Sequence, residues 1–138
     1  MPFDAIGQVI YYVGPTPPRP GQVIGSAGPT TAVRMDPYTT RMLEQGIKAA
    51  IGKGGRGIAV REALKEYKAV YFGAIGGAGA YQSTTIKRAD VIAYPELGTE
   101  AIRRLEVEDF PVIVVNDMYG NDLLEQGRNE WRTDVAKG

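Results

Sequence analysis

Ile47-Lys48-Ala49-Ala50-Ile51, Gly52-Lys53-Gly54-Gly55-Arg56-Gly57, Ile58–Tyr67 and Ala69–Ile75 make up the stretch that decides the fold. The first and last pieces are short apolar runs, Ile47–Ile51 in spite of Lys48 and Ala69–Ile75 without any charge. Both therefore read as buried strands. Between them Val60, Ala63, Leu64 and Tyr67 share one face at helical spacing, and Arg61, Glu62, Lys65 and Glu66 take the other. That periodicity predicts a helix over Ile58–Tyr67. A buried strand, a glycine loop, an amphipathic helix and a second buried strand form the unit from which a mainly parallel sheet is built.

The pattern continues outward in both directions. Downstream, Ala80 to Lys87 is predicted as a helix, although Thr84 and Thr85 are poor helix formers. Asp90–Tyr94 is a strand closed by Pro95. Thr99 is the N-cap of a short helix over Glu100–Leu105, and Pro111–Asn116 is a strand of Val and Ile. The chain then turns at Tyr119-Gly120-Asn121-Asp122, and from Leu123 onward it is polar and expected to fray, apart from Trp131. One domain over residues 1–124 with a polar tail over 125–138 follows. Upstream, Pro37 stands where a first-turn proline belongs, with Asp36 as N-cap of a helix from Pro37 to Gln45. Tyr38, Met42 and Leu43 would face the core and Gly46 would stop the helix. Ala5–Val13 reads as a strand, Pro15–Gly21 as a stiff loop and Gln22–Ile24 as a second short strand. With no helix between its strands, the N-terminal third is expected in a smaller sheet or on an antiparallel margin. The fold class is α/β, with a central mainly parallel sheet and a smaller second sheet.

Composition narrows the chemistry. Sixteen basic and sixteen acidic residues in 138 leave no net charge, so no field recruits nucleic acid or an anionic membrane. There is no cysteine, which excludes disulfides and any thiolate-held metal or iron–sulfur cluster built by this chain alone. Histidine is absent as well, removing the commonest general base. No run approaches the roughly twenty apolar residues of a membrane span. Met1-Pro2-Phe3-Asp4 is no signal peptide, and a cytoplasmic protein is expected.

Three glycine-rich loops follow strands: Gly25–Asp36, Gly52–Gly57 and Gly73–Gly79. In a parallel sheet such loops share one edge and form a common crevice. The richest is Gly28-Pro29-Thr30-Thr31-Ala32-Val33-Arg34-Met35-Asp36, which holds two adjacent hydroxyls, a guanidinium and a carboxylate. Arg34 offers a fork of donors matched to a carboxylate, and Thr30 and Thr31 can donate or accept at a bound hydroxyl. Lys53 has glycine on both sides, so its ammonium has few neighbours to block it. Arg34 and Lys53 are thus candidates to hold the two carboxylates of a small diacid. Also open is a structural account in which the threonines cap the next helix and Arg34 pairs with Asp36, and the glycine-flanked loop by itself favours Lys53 and Arg56 as solvated turn residues. Neither glycine loop has the order of a phosphate-binding P-loop or the GxGxxG spacing of a dinucleotide site. Glu106, Glu108 and Asp109 are acidic but fit the end of a helix-to-strand connection better than a metal site, so no metal ligands are assigned.

Taken in order, Gly28–Tyr38, Ile51-Gly52-Lys53-Gly54, Ala74-Ile75-Gly76-Gly77-Ala78, Ala93–Gly98 and Leu105–Val112 carry a resemblance. From about Phe3 to Leu123 the chain closely resembles the β subunit, or C-terminal domain, of class I iron–sulfur fumarate hydratases and the related L-tartrate dehydratases. The resemblance implies a swivelling β/β/α three-layer domain and reversible hydration of fumarate to L-malate at a [4Fe-4S] cluster. It further implies that cysteines of a partner α subunit hold the cluster, that this chain is active only with that partner, and that the two form a hetero-oligomer. Alone, the chain could associate with itself. By position, Arg34 and Lys53 would bind the substrate carboxylates, and Thr30 and Thr31 would lie on the hydroxyl and proton-transfer side. In the family a segment with an Arg-Asp-Ala-Ala-His run usually precedes this region and also serves the site. No such run stands in this sequence: either the partner chain carries the segment, or the start is truncated, or part of the chemistry is lost. Val33 stands where the fumarase pattern usually has glycine and the tartrate enzyme often aspartate. A tartrate or other hydroxy-diacid dehydratase subunit, or a non-catalytic anion-binding module, is the alternative.

Overall fold

The computed structural model describes residues 2–74 and 79–129. Its elements in chain order are β1 (Val9–Tyr11), α1 (Asp36–Glu44), β2 (Ala49–Gly52), α2 (Ile58–Tyr67), β3 (Val70–Gly73), α3 (Gly79–Thr85), β4 (Ile86–Ala93), β5 (Ile102–Val107) and β6 (Ile113–Asn116). One sheet has the order β1-β2-β3-β6, with β1, β2 and β3 parallel and β6 antiparallel on its margin. The other is the antiparallel pair β4-β5.

The parallel register explains the layering. Ile10, Ala50 and Tyr71 form one row across β1, β2 and β3. Their side chains join Leu43 of α1 and Val60, Ala63 and Leu64 of α2 in the larger core. Because side chains alternate along a strand, the neighbouring row of Tyr11, Ile51 and Phe72 faces the other way. There Tyr11 meets Phe110 edge to face at 5.0 Å and donates its hydroxyl to Ala27 O at 2.6 Å. A smaller cluster of Ile24, Ala27 and Ile86, joined by Val13, Ala89 and Leu105, packs beneath β4 and β5. The result is the α/β fold expected, in three layers: helices, four-stranded sheet, two-stranded sheet.

The βαβ unit read from the sequence is present, and α2 has the limits its periodicity predicted. Lys68 ends it in the left-handed conformation, with its N–H on Leu64 O. Gly46, at φ 106°, ends α1. Met42 and Leu43 face the core as expected, but Tyr38 is exposed.

Several assignments need correction. β1 belongs to the main sheet and runs parallel to β2, and the second sheet comes from β4 and β5 instead of the N-terminal third. Gln22–Ile24 is not a strand: after the turn that joins Gln22 N to Arg19 O, Ile24 drops into the smaller core. The predicted helix Glu100–Leu105 is replaced by β5, because residues 102–107 pair in register with β4 and the preceding 3-10 turn kinks at Gly98. The Glu106–Asp109 region consequently joins two strands and not a helix to a strand. Asp36 lies inside α1, whose N-cap is Met35 and carries no side-chain cap bond. Residues 123–129 are helical where fraying was expected, and Glu125 of this segment ion-pairs with Arg61 of α2. Trp131 and most of the Gly73–Gly79 loop lie outside the described residues.

Candidate functional site

The site lies at the carboxyl edge of β1 and β2. Beyond the bond from Tyr12 N to Ile51 O, the segment Pro29–Ala32 comes alongside both strands. Thr30 N donates to Tyr12 O at 2.8 Å, Lys53 N to Thr30 O at 3.0 Å, and Ala32 N to Lys53 O at 3.0 Å. Thr31 and Lys53 are thereby partners in a parallel bridge. Bridge partners present their side chains to the same side, and neighbours alternate. Thr31 accordingly shares a side with Lys53 and is exposed, whereas Thr30 is turned the other way and half-buried.

Glycine makes this approach possible. A Cβ on Gly52 would meet the Ala32 Cβ at 2.8 Å and a Tyr12 ring carbon at 3.0 Å. On the neighbouring turn, a Cβ on Gly79 would come within 2.8 Å of Gly28 N, and Gly79 O accepts from Ala27 N. Two of the three glycine loops are thus packed backbone against backbone, and the start of α3 is packed under the first.

Arg34 occupies a 3-10 turn over Val33–Met35 and is exposed, as is Lys53. Neither has an ion-pair or hydrogen-bond partner for its side chain among the described residues. The carboxylate nearest to Arg34 in the sequence, Asp36, is already committed. Asp36 accepts from Arg56 Nε at 2.7 Å through one oxygen and from Gly57 N at 2.7 Å through the other. The pairing of Arg34 with Asp36 therefore does not occur, and the threonines do not cap α1.

Arg56 is the residue the sequence reading missed. Its side chain has 0% exposure in the ion pair with Asp36, so it is no solvated turn residue. Nη2 donates to Thr39 Oγ1 at 2.5 Å, and that hydroxyl itself donates to Met35 O at 2.9 Å. The guanidinium carbon stands 4.9 Å from the centre of the Tyr71 ring and 5.5 Å from that of Tyr12, distances at which a cation is attracted by an aromatic face. Tyr71 donates its hydroxyl to Gly54 O at 2.7 Å. Burial pushes the Tyr71 phenol up to about 12, with the Arg56 charge opposing and Tyr12 and Asp36 reinforcing. Arg56, like Lys53, has glycine on both sides, so local sequence does not tell the buried cation from the exposed one.

Beside these loops a hollow of about 470 Å³ is lined by Val33, Gly55, Arg56, Gly57, Leu124 and Arg128. Val33, the residue next to Arg34, is half exposed along its wall. The structure therefore brings Thr31, Lys53 and the turn bearing Arg34 to one edge and sets Thr30 on the opposite side of that strand segment. As for a resident iron–sulfur group, the chain supplies no thiol and no imidazole. No three Asp or Glu side chains converge among the described residues. The donor set here does not fit such a group.

Comparison with known proteins gives the family. The family model described as "Fumarase C-terminus" matches residues 1–127. The chain is 44% identical over 119 residues to the aerobic class I fumarate hydratase of Salmonella typhimurium, covering 85% of this chain and 20% of that protein. It is 43% identical over 130 residues to the anaerobic class I fumarate hydratase of Escherichia coli, covering 93% and 24%. To the L(+)-tartrate dehydratase subunit beta of Escherichia coli it is 31% identical over 133 residues, covering 93% and 66%. The chain thus spans only a fifth to a quarter of the fumarate hydratases it matches.

Proposed function

The chain belongs to the fumarase C-terminus family, a family of hydro-lyases, and from that premise we propose that it is the dicarboxylate-binding half of a split hydro-lyase that interconverts fumarate and L-malate. Arg34 would bind one substrate carboxylate through its two-point fork, and Lys53 the other as a point charge. Thr31, on the side that Lys53 shares, would hydrogen-bond the substrate hydroxyl. A threonine is a weak base unaided, so proton transfer at Thr30 or Thr31 needs a group contributed by the partner. The iron–sulfur cluster of this proposal is held by cysteines of the partner α subunit. The work assigned to this chain is binding and orienting the diacid.

One observation carries the proposal. Two loops joined by backbone hydrogen bonds present two cations, and the only acidic residue in either loop, Asp36, is spent on Arg56. A doubly negative ligand is the natural complement. The likeness to a protein named as a beta subunit, and the small share of the fumarate hydratases that this chain covers, support the split arrangement.

The test is to mix the chain anaerobically with a cysteine-bearing partner and assay fumarate and malate interconversion. Activity is expected only in the mixture, with Arg34→Lys and Lys53→Met each lowering kcat/KM by at least about tenfold. Turnover of tartrate but not fumarate would reassign the substrate within the family. Binding of fumarate without turnover, with any partner, would mark an anion-binding module instead.

A further inference from the structure

We propose that Arg56 is a positioning residue that fixes the spacing between Arg34 and Lys53, and with it the length of diacid accepted; this rests on the function proposed above. Arg56 ends the loop that carries Lys53, while Asp36 and Thr39 begin the helix that follows the loop carrying Arg34. Nε to Asp36 Oδ1 at 2.7 Å, Nη2 to Thr39 Oγ1 at 2.5 Å and Gly57 N to Asp36 Oδ2 at 2.7 Å tie those two places together. At the near end the same loops are joined by the Thr31–Lys53 bridge. Arg34 lies between the two ties on one loop, and Lys53 begins the span on the other. With both ends fixed, the frame sets the separation of the backbone positions from which the two cations reach.

The chemistry of the tie favours positioning over stability. A buried ion pair recovers little of its desolvation cost, and apolar side chains of the same volume are often as stable or more so. Here the Nη1 of Arg56 is buried without a hydrogen-bond partner among the described residues, which adds a further cost. What the arrangement does supply is direction. A planar fork held by two acceptors beside two tyrosine rings has one orientation, which a flexible ammonium would not have.

Arg56→Lys keeps the charge and loses the fork, and Thr39→Val removes one acceptor at nearly constant shape. In both, amide hydrogen exchange of the isolated full chain is expected to accelerate about tenfold at Lys53 N and Ala32 N, with the core amides of α2 unchanged. In the assembled enzyme, KM for fumarate rises more than kcat falls. Inhibition also shifts from succinate toward the longer glutarate, by about fivefold or more in their ratio. A merely destabilising change would lower the active fraction and leave both KM and that ratio alone. Exchange at Lys53 and Ala32 that stays at the wild-type rate, or an unmoved inhibitor ratio, overturns the proposal. If the wild-type mixture turns over no diacid, the function proposed above fails, while the exchange measurement still decides whether Arg56 fixes the loops.

Discussion

Replacing Gly52 by alanine tests the close packing of the two site loops. The added carbon would stand 2.8 Å from the Ala32 Cβ and 3.0 Å from a Tyr12 ring carbon. Carbon pairs are comfortable at about 3.5–4.0 Å, so the closest contact is about 0.7 Å too short. Ala32 is fully buried and its Cβ is fixed to the backbone, so no rotamer change relieves the overlap. One loop must move and strain the bonds that pair Thr30 and Ala32 with Lys53. Overpacking of this kind costs about 1–3 kcal/mol. Taking about 2 kcal/mol and a urea m-value of about 2 kcal/mol per molar, the unfolding midpoint falls by about 1 M at constant m. Ala32→Gly removes the other atom of the clash and on its own costs about 1.5 kcal/mol, from a lost buried methyl and added backbone freedom. Since each change relieves the other, the double variant should be less destabilised than the sum of the singles by at least about 1 kcal/mol. Additivity within about 0.5 kcal/mol would refute the contact and the loop packing built on it.

The core and the titrating groups give further checks. Leu64→Ala, at a residue 1% exposed between helix and sheet, should cost about 2–5 kcal/mol in urea unfolding, whereas Tyr38→Ala, at 63% exposed, should stay within about 0.5 kcal/mol. Equal losses would contradict the orientation of the helical layer. Burial raises the Tyr71 phenol from 10.0 to about 12, so the folded state keeps this proton longer than the unfolded chain does. The associated stability is complete below pH 10 and is lost as pH rises toward 12, with Tyr11, also pushed up by burial, adding in the same direction. Urea midpoints followed from about pH 9 to about pH 12 should fall less steeply in Tyr71→Phe than in the parent; parallel curves would exclude Tyr71 as a contributor. At Asp117 the Asn121 side-chain hydrogen bond, ahead of the backbone bonds from Asn121 and Tyr119, lowers the carboxyl below its usual value. Its contribution is therefore present above the ordinary carboxylate range and lost as pH falls through the lowered value. Asn121→Ala should return the Asp117 carboxyl toward normal in an NMR titration, and an unmoved curve would be evidence against that bond.

What the sequence made legible was what period and composition control. Val60, Ala63 and Leu64 mark a buried helix face by spacing alone, and the uncharged Ala69–Ile75 run marks a strand, found over Val70–Gly73 with Tyr71 buried. The charged Ile102–Val107 segment reads as well for a short helix as for a strand, and only pairing with β4 decides between them. Likewise Ala5–Val13 carries no sign of its neighbour, and β1 joins β2 across the long N-terminal excursion that contains the Pro-rich loop. The exposure of the two loop cations fits the sequence reading, since Arg34 and Lys53 are conspicuous by type. The fate of Asp36 was not legible. Its partner lies twenty residues away, and Arg34, two residues before it, was the obvious candidate for pairing.

That exchange of partners also bears on the partner proposed above. Fully solvated, an ammonium or guanidinium about 4 Å from a carboxylate gains about 1 kcal/mol, against about 2 kcal/mol of rotamer freedom in a free Lys or Arg side chain. Arg34 and Lys53, both exposed and unpaired among the described residues, hold a diacid poorly on those terms. In a cleft closed by a second protein surface, an effective dielectric of about 20 raises the attraction in each contact to about 4 kcal/mol, from which the cost of desolvating the charges is subtracted. The frame that joins the two loops costs nothing further at that moment, because it is already formed. Burying Arg56 inside this chain and leaving Arg34 and Lys53 bare thus puts rigidity in this chain, and under the split-site proposal the binding strength comes from the partner surface that covers the edge.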